Sequence, residues 1–315
     1  MNNKSKVIVI FAPTASGKTA LTRELFSPSG SHFILNAEIV SADSQTVYKY
    51  MDIGTAKPDK ELQSVLSHHL IDILTPDIQF NVSDFVDYAD EACEKIITKG
   101  KTPVICGGTG FYIKNFLYGV APTPVSDEKL REELKQRIIT EGKQALHKEL
   151  EKIDPVSAKK IHVNDSYRIC RALEVYYLSG KTRTSFKVEG QFRDKYDFNF
   201  IVLKPPRELL YKRIRERVDL MITQGLEEEI KKLIDMGYTK ESPGLKAIGY
   251  SEWFTYTEKE KIIEEIKHHS CKYAKKQYTY IRDIPGSTVI DFSGSETDFE
   301  KITDLINQKI KGYFY

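Results

Sequence analysis

With 315 residues and 40% hydrophobic content, the chain is long enough to bury one large core and a smaller one. The apolar run from Val7 to Ala12 is too short for a signal-peptide core or a membrane span, and Cys93, Cys106, Cys170 and Cys271 lack paired spacing, so a cytoplasmic protein with reduced thiols is expected, off the membrane and without a zinc site. A formal net charge of +2 neither predicts nor excludes a nucleic-acid partner, because clustering of charge decides that.

In chain order, apolar runs rich in β-branched residues predict buried strands at Val7 to Phe11, Ile39 to Ser41, Pro103 to Cys106, Phe200 to Leu203 and Thr288 to Ile290. Between the second and third, Phe85, Ala89, Ala92 and Ile96 keep helical spacing. They predict a helix from Ser83, its expected cap, to Lys99, with Gly100 just past the end. Strand-helix alternation implies a parallel sheet flanked by helices. The alternation fails after Pro122, where helical periodicity runs without a strand to Phe198. An inserted small helical domain is therefore expected over residues 122–198, leaving 1–121 and 199–315 as the α/β core. One helix is predicted from about Arg207 to Met236 and another from about Glu258 to Arg282, before the last strand and helix.

The first strand runs straight into Ala12-Pro13-Thr14-Ala15-Ser16-Gly17-Lys18-Thr19 and then a helix-forming stretch. That is the setting of a phosphate-binding loop, so the fold class expected is P-loop NTPase-like. Backbone N–H groups and the positive end of the helix dipole would face a diphosphate, Lys18 would add a mobile charge, and the Thr19 hydroxyl would hold Mg²⁺. Ala12 stands where the motif asks for its first glycine, which would restrict the backbone if a glycine conformation were needed. The loop names a phosphate and not a reaction: kinases, nucleotide hydrolases and prenyl-diphosphate users share it.

Asp43 follows the second strand, where open α/β sheets place ligands, and its position suits metal binding or proton abstraction alike. Its neighbours narrow the choice. The segment Ser41-Ala42-Asp43-Ser44-Gln45-Thr46-Val47-Tyr48 through Asp52-Ile53-Gly54-Thr55-Ala56-Lys57-Pro58 resembles the signature of transfer RNA dimethylallyltransferases. The likeness continues in His69-Leu70-Ile71-Asp72, Asn81 to Phe85, Gly107-Gly108-Thr109-Gly110-Phe111-Tyr112, Asn164-Asp165, Arg171 to Val175, Gly244 to Tyr250 and Ala274 to Arg282, nearly the whole chain.

The resemblance implies transfer of a dimethylallyl group from dimethylallyl diphosphate to the N6 amino group of adenine 37 in a tRNA anticodon loop, by a monomer. Asp43 is then the general base. Thr109 and Arg217 are further catalytic donors, and Ala12 to Thr19 hold the diphosphate. The same resemblance implies that Asp43, Ser44, Gln45, Thr46 and Thr109 meet the RNA, together with Arg131 and the segment Tyr167-Arg168-Ile169-Cys170-Arg171. Adenine's exocyclic nitrogen is a weak nucleophile whose proton becomes strongly acidic on attack, so an ordinary aspartate suffices to accept it.

From Lys267 to Arg282 no acidic residue interrupts a series of basic ones, and Lys272, Lys275 and Lys276 offer a face that would track a phosphate backbone of the anticodon stem-loop. Chemistry on an adenine amino group requires the base to leave its stack, which a single-stranded loop allows. Three rivals are weaker. A P-loop kinase or hydrolase needs neither the Asp43 segment nor the insertion, an adenylate isopentenyltransferase needs less RNA-binding surface, and an inert RNA binder would not keep Lys18, Thr19, Asp43, Thr109 and Arg217 together.

Overall fold

The computed structural model describes residues 4–186, 188, 190–281, 286–291 and 296–314. The chain divides into two compact units, Met1–Tyr118 with Phe192–Tyr315, and Gly119–Gln191.

In the first unit, strand β1 (Lys6–Phe11) leads to helix α1 (Lys18–Phe26) and strand β2 (Ala37–Ser41). Helix α2 (Lys60–Val65), strand β3 (His68–His69), helix α3 (Val82–Thr98), strand β4 (Thr102–Gly107) and helix α4 (Gly110–Tyr118) follow. Among the described residues these strands and two later ones, β5 (Asp197–Lys204) and β6 (Thr288–Asp291), form one parallel sheet in the order β3-β2-β4-β1-β5-β6. Central β1 pairs with β4 on one side and β5 on the other. Strands β1, β2 and β4 therefore end side by side, and their carboxyl ends make the crevice in which doubly wound sheets bind ligands.

Helix α3 starts one residue before the predicted Ser83. Its cap is Asn81, whose side chain accepts from the Ser83 and Asp84 N–H groups while Asp84 accepts from the Asn81 N–H. Both residue types cap helices; the acid three positions after Asn81 decides between them.

The second unit holds helices α5 (Glu128–Thr140), α6 (Lys143–Ile153), α7 (Pro155–Lys160) and α8 (Ser166–Ser179). Asp127, Asp154 and Asp165 cap α5, α7 and α8, and Pro155 opens α7 where its missing N–H costs nothing. Leu134, Leu146, Leu150, Ile169 and Leu173 make this unit's own core. Residues 192–198, assigned by periodicity to the insertion, belong to the first unit. The Phe192 ring packs on Tyr118 and Phe198, and Arg193 pairs with Asp90 and covers the Phe116 ring.

Back in the first unit come strand β5 (Asp197–Lys204) and helices α9 (Arg207–Thr223) and α10 (Leu226–Asp235). These two helices replace the single helix expected from Arg207 to Met236. The apolar period continues across the break, but Gly225 takes a φ of 97°, a left-handed conformation that ends α9. Helix α11 (Lys259–Ile281), strand β6 (Thr288–Asp291) and helix α12 (Glu296–Phe314) complete the unit; Arg282 lies outside the described residues. Ile302, Ile306 and Ile310, one turn apart on α12, pack with Leu21, Leu25 and Phe26 of α1 against the sheet. Among the described residues no helix is long and apolar enough to cross a membrane.

Candidate active site and RNA-facing residues

The loop from Ala12 to Thr19 joins β1 to α1 at the carboxyl edge of the sheet. No side chain caps α1 and no acid stands in its first turn, so its N-terminal amides and dipole are left for an anion. Gly17, with φ 90°, and Ala15, with φ 58°, make the left-handed turns. Ala12 does not: its φ is not positive, its N–H donates to the Gly107 carbonyl at 3.2 Å, and its methyl group is buried in the sheet core. The departure from the motif therefore falls where a side chain fits without strain.

Lys18 Nζ donates to the carbonyls of Ala12 and Pro13 at 2.9 and 2.8 Å. Burial lowers its pKa to about 8, while Cys106 and Asp43 pull it upward and Arg217 lowers it further. Arg217 donates to the Thr14 hydroxyl at 2.5 Å. Burial holds this guanidinium below its ordinary value, with Asp43 acting in the opposite sense. Lys18, Arg217 and Asp43 thus share one electrostatic site.

A signal in the sequence narrows the choice of arginine. Leu210, Ile214, Val218 and Met221 form the buried stripe of α9, and Arg213 and Arg217, three residues after Leu210 and Ile214, fall beside that stripe, whereas Arg215 is exposed. Leu210 and Ile214 pack on Ala274 of α11 and on Ala15, which brings α9 against the loop.

Asp43 leaves the end of β2, and its Oδ1 accepts from the Gln45 N–H at 2.9 Å, a turn that fixes the carboxylate's direction. The Thr109 hydroxyl accepts from the Ser44 N–H at 3.0 Å. The two strand ends approach closely because Gly107 has no side chain; a Cβ there would lie 2.1 Å from the Ala42 carbonyl oxygen. Thr46 is buried, its hydroxyl bonded to Ser41. Among the described residues, Gln45 Oε1, Ser16 Oγ and Arg217 Nε are buried and find no partner. Three unsatisfied polar atoms gathered around one crevice mark it as built for a polar ligand.

Beyond Asp43 the chain is pinned by residues that the sequence did not single out. Buried Lys57 donates to the Tyr48 carbonyl and pairs with Asp52 and Asp72. The Glu229 carboxylate accepts from the N–H groups of Asp52, Ile53 and Gly54 and from the Tyr250 hydroxyl. Four residues in this region, Tyr50, Ala56, Leu70 and Asp72, hold positive φ without being glycine, which these anchors make tolerable.

From α11, Gln277 Oε1 accepts from the Thr14 N–H and its Nε2 donates to the Gly108 carbonyl. Burial pushes the Tyr273 hydroxyl up to about 12, with Asp43 acting the same way and hydrogen bonds to Thr109 and Gln277 opposing. Lys272, Lys275 and Lys276 are exposed, and no acid pairs with them among the described residues. The basic run is shorter than its sequence suggested: Lys267 pairs with Asp219 and Glu264, and His269 with Glu252 and Glu265, acids supplied from earlier in α11 and from other segments.

In the second unit, Arg131 and Arg171 share the fully buried Glu174, at 3.3 and 2.6 Å. Ile169 is buried and Cys170 packs against the same core. Of the segment 167–171, the side chains offered to solvent are therefore Tyr167, 73% exposed, and Arg168.

The model of the IPP transferase family matches residues 46–284. A tRNA dimethylallyltransferase of Acetivibrio thermocellus is 39% identical over 305 residues, spanning 95% of this chain and 96% of that protein. The crystal structure of the full-length tRNA isopentenylpyrophosphate transferase of Bacillus halodurans is similar with a TM-score of 0.68 at 36% identity, covering 98% of each chain. A eukaryotic dimethylallyltransferase, seen crystallographically acting on tRNA, gives a TM-score of 0.81 at 27% identity over 98% of this chain and 80% of that one.

Proposed function

The chain belongs to the IPP transferase family and its activity is that of a tRNA dimethylallyltransferase, and from this premise we propose that dimethylallyl diphosphate is its donor and the N6 amino group of adenine 37 its acceptor. The diphosphate sits on Ala12 to Thr19, against the uncapped start of α1. The amino nitrogen attacks the allylic carbon, the carbon–oxygen bond to diphosphate breaks, and Asp43 takes the proton from nitrogen. Lys18, Arg217 and the loop amides stabilise the charge that gathers on the leaving diphosphate.

The observation that carries this reading is the bond from the Ser44 N–H to Thr109, which ties the Asp43 turn to the segment just past β4, whose end at Gly107 accepts from the Ala12 N–H of the phosphate loop. Base and leaving-group stabilisers then face one crevice. Mg²⁺ fits the residues present. Among the described residues no three acidic, histidine or cysteine side chains cluster, so a cation here would take the exposed Thr19 hydroxyl and draw its other ligands from diphosphate and water, as Mg²⁺ does. Bound there, it would neutralise charge on the diphosphate.

Gln45, whose Oε1 has no partner among the described residues, would accept from an adenine edge, and Tyr167, Arg168 and the three lysines of α11 are the exposed groups that would meet bases and phosphates. The test is direct. Labelled dimethylallyl diphosphate is incubated with the protein and either tRNA, AMP or no acceptor. Label entering tRNA alone supports the reading; label entering AMP at a comparable rate would replace it with a free-nucleotide prenyltransferase.

A further inference from the structure

Gln277 is buried, and both ends of its amide are engaged, Oε1 with the Thr14 N–H at 3.0 Å and Nε2 with the Gly108 carbonyl at 2.7 Å. Rotated by half a turn, the amide would set donor against donor and acceptor against acceptor, so its partners fix its orientation. Those partners lie on opposite sides of the reaction. Thr14 belongs to the diphosphate loop and receives Arg217, whereas Gly108 precedes Thr109, which holds the Ser44 N–H beside Asp43. The approach is tight, since a Cβ on Gly108 would lie 2.6 Å from Nε2.

We propose that Gln277 is a positioning residue that holds the diphosphate loop and the Thr109 turn in register, and so sets the gap across which the adenine amino group must reach the allylic carbon. Resting on the proposed prenyl transfer, it needs no contact with either substrate. A misplacement of about 1 Å between reacting groups is enough to cost on the order of 100-fold in rate.

Two variants test it. Gln277→Met keeps the length of the side chain and removes both hydrogen bonds. Gln277→Glu behaves differently with pH: the neutral acid reproduces the amide, its carbonyl accepting from Thr14 and its hydroxyl donating to Gly108, while the carboxylate faces the Gly108 oxygen with no proton to offer. Burial raises the pKa of such a group while the nearby Lys18 ammonium and Arg217 lower it, so the two opposing effects set where its titration falls.

The methionine variant is expected to lose roughly 10- to 100-fold in kcat, with the RNA dissociation constant unchanged within about threefold. The glutamate variant is expected to match that loss near pH 8.5 and to recover at least about fivefold by pH 6, each value taken relative to wild type at the same pH. The Lys18 ammonium, Arg217, Asp43 and Tyr273 face this site and act on the new carboxyl, so the ratio is followed from pH 5 to pH 9 beside that of the methionine variant, which carries no titrating group at 277. Wild-type kcat in the methionine variant, or a glutamate ratio that nowhere between pH 5 and pH 9 rises above the methionine one, overturns the proposal. If methionine prevents folding, judged by thermal unfolding, the glutamate profile decides alone. A wild-type protein that moves no prenyl group to an anticodon stem-loop would instead refute the functional reading beneath it.

Discussion

Arg217 on α9 donates to the hydroxyl of Thr14 at 2.5 Å, so a cation from late in the chain is held against the diphosphate loop before any donor arrives. A preorganised cation of this kind stabilises charge as it develops, and Arg217→Ala is expected to lower kcat/KM by roughly 100- to 1,000-fold. Arg217→Lys should recover little, because one ammonium cannot both hold Thr14 and reach the ligand as a guanidinium fork does. Steady-state kinetics, with thermal unfolding as a control, checks both; a fully active lysine variant would count against the assignment.

Donor affinity should depend on pH through Lys18. The diphosphate favours the ammonium form, and burial has brought this group down to about 8. Below that pH the charge is already present and binding is flat. Above it, binding must take up a proton, so the donor dissociation constant should rise about tenfold per pH unit. Calorimetric titration of donor between pH 7 and 9.5 would reveal it, and Lys18→Ala should bind weakly without the trend.

Asp43→Asn keeps size and removes the proton acceptor. Turnover should fall by roughly two to four orders of magnitude while donor and RNA dissociation constants change only a few-fold. If Asp43 instead served to hold Mg²⁺, the variant would lose donor affinity and excess Mg²⁺ would restore turnover. Product formation during a Mg²⁺ titration of the variant separates the two roles.

Lys272→Ala combined with Lys275→Ala should weaken tRNA binding, spare donor binding, and reduce the slope of log affinity against log salt by about one unit for each phosphate no longer neutralised. Lys267→Ala serves as the comparison, since its charge is already committed to Asp219 and Glu264. An unchanged slope in the double variant would mean that this face is only solvated.

Ala12→Gly should cost about 1 kcal/mol of stability and bring no gain in donor binding, because the position needs no left-handed backbone and its methyl group fills core space. Denaturant unfolding and a donor titration test the two halves of that statement.

Much of this was legible in local pattern. Four strands announced themselves because a strand buried on both faces is a continuous apolar run; β6, expected to be buried, is an edge strand with Val289 exposed, and the two-residue edge strand His68–His69 is too short to carry a period. The break at Gly225 was missed because the apolar period resumes on its far side. The phosphate loop is contiguous, so its residues could be read together. Gln277 and Glu229 could not: their partners lie 263 and 177 positions away, and although Gln277 falls within the Ala274 to Arg282 likeness, nothing beside either residue tells what it touches.

Those long separations also bear on synthesis. Arg217 is made 203 residues after Thr14 of the diphosphate loop, and Gln277 263 residues after it. At about 5–20 residues per second, the loop waits roughly 10–50 s for the last of its partners. During most of that interval β1 also lacks β5 along one edge, an open strand edge that invites wrong pairing until residue 204 is made. A nascent chain halted before α9 therefore carries the loop without Arg217 or Gln277, and catalytic competence waits until residue 277 has been made.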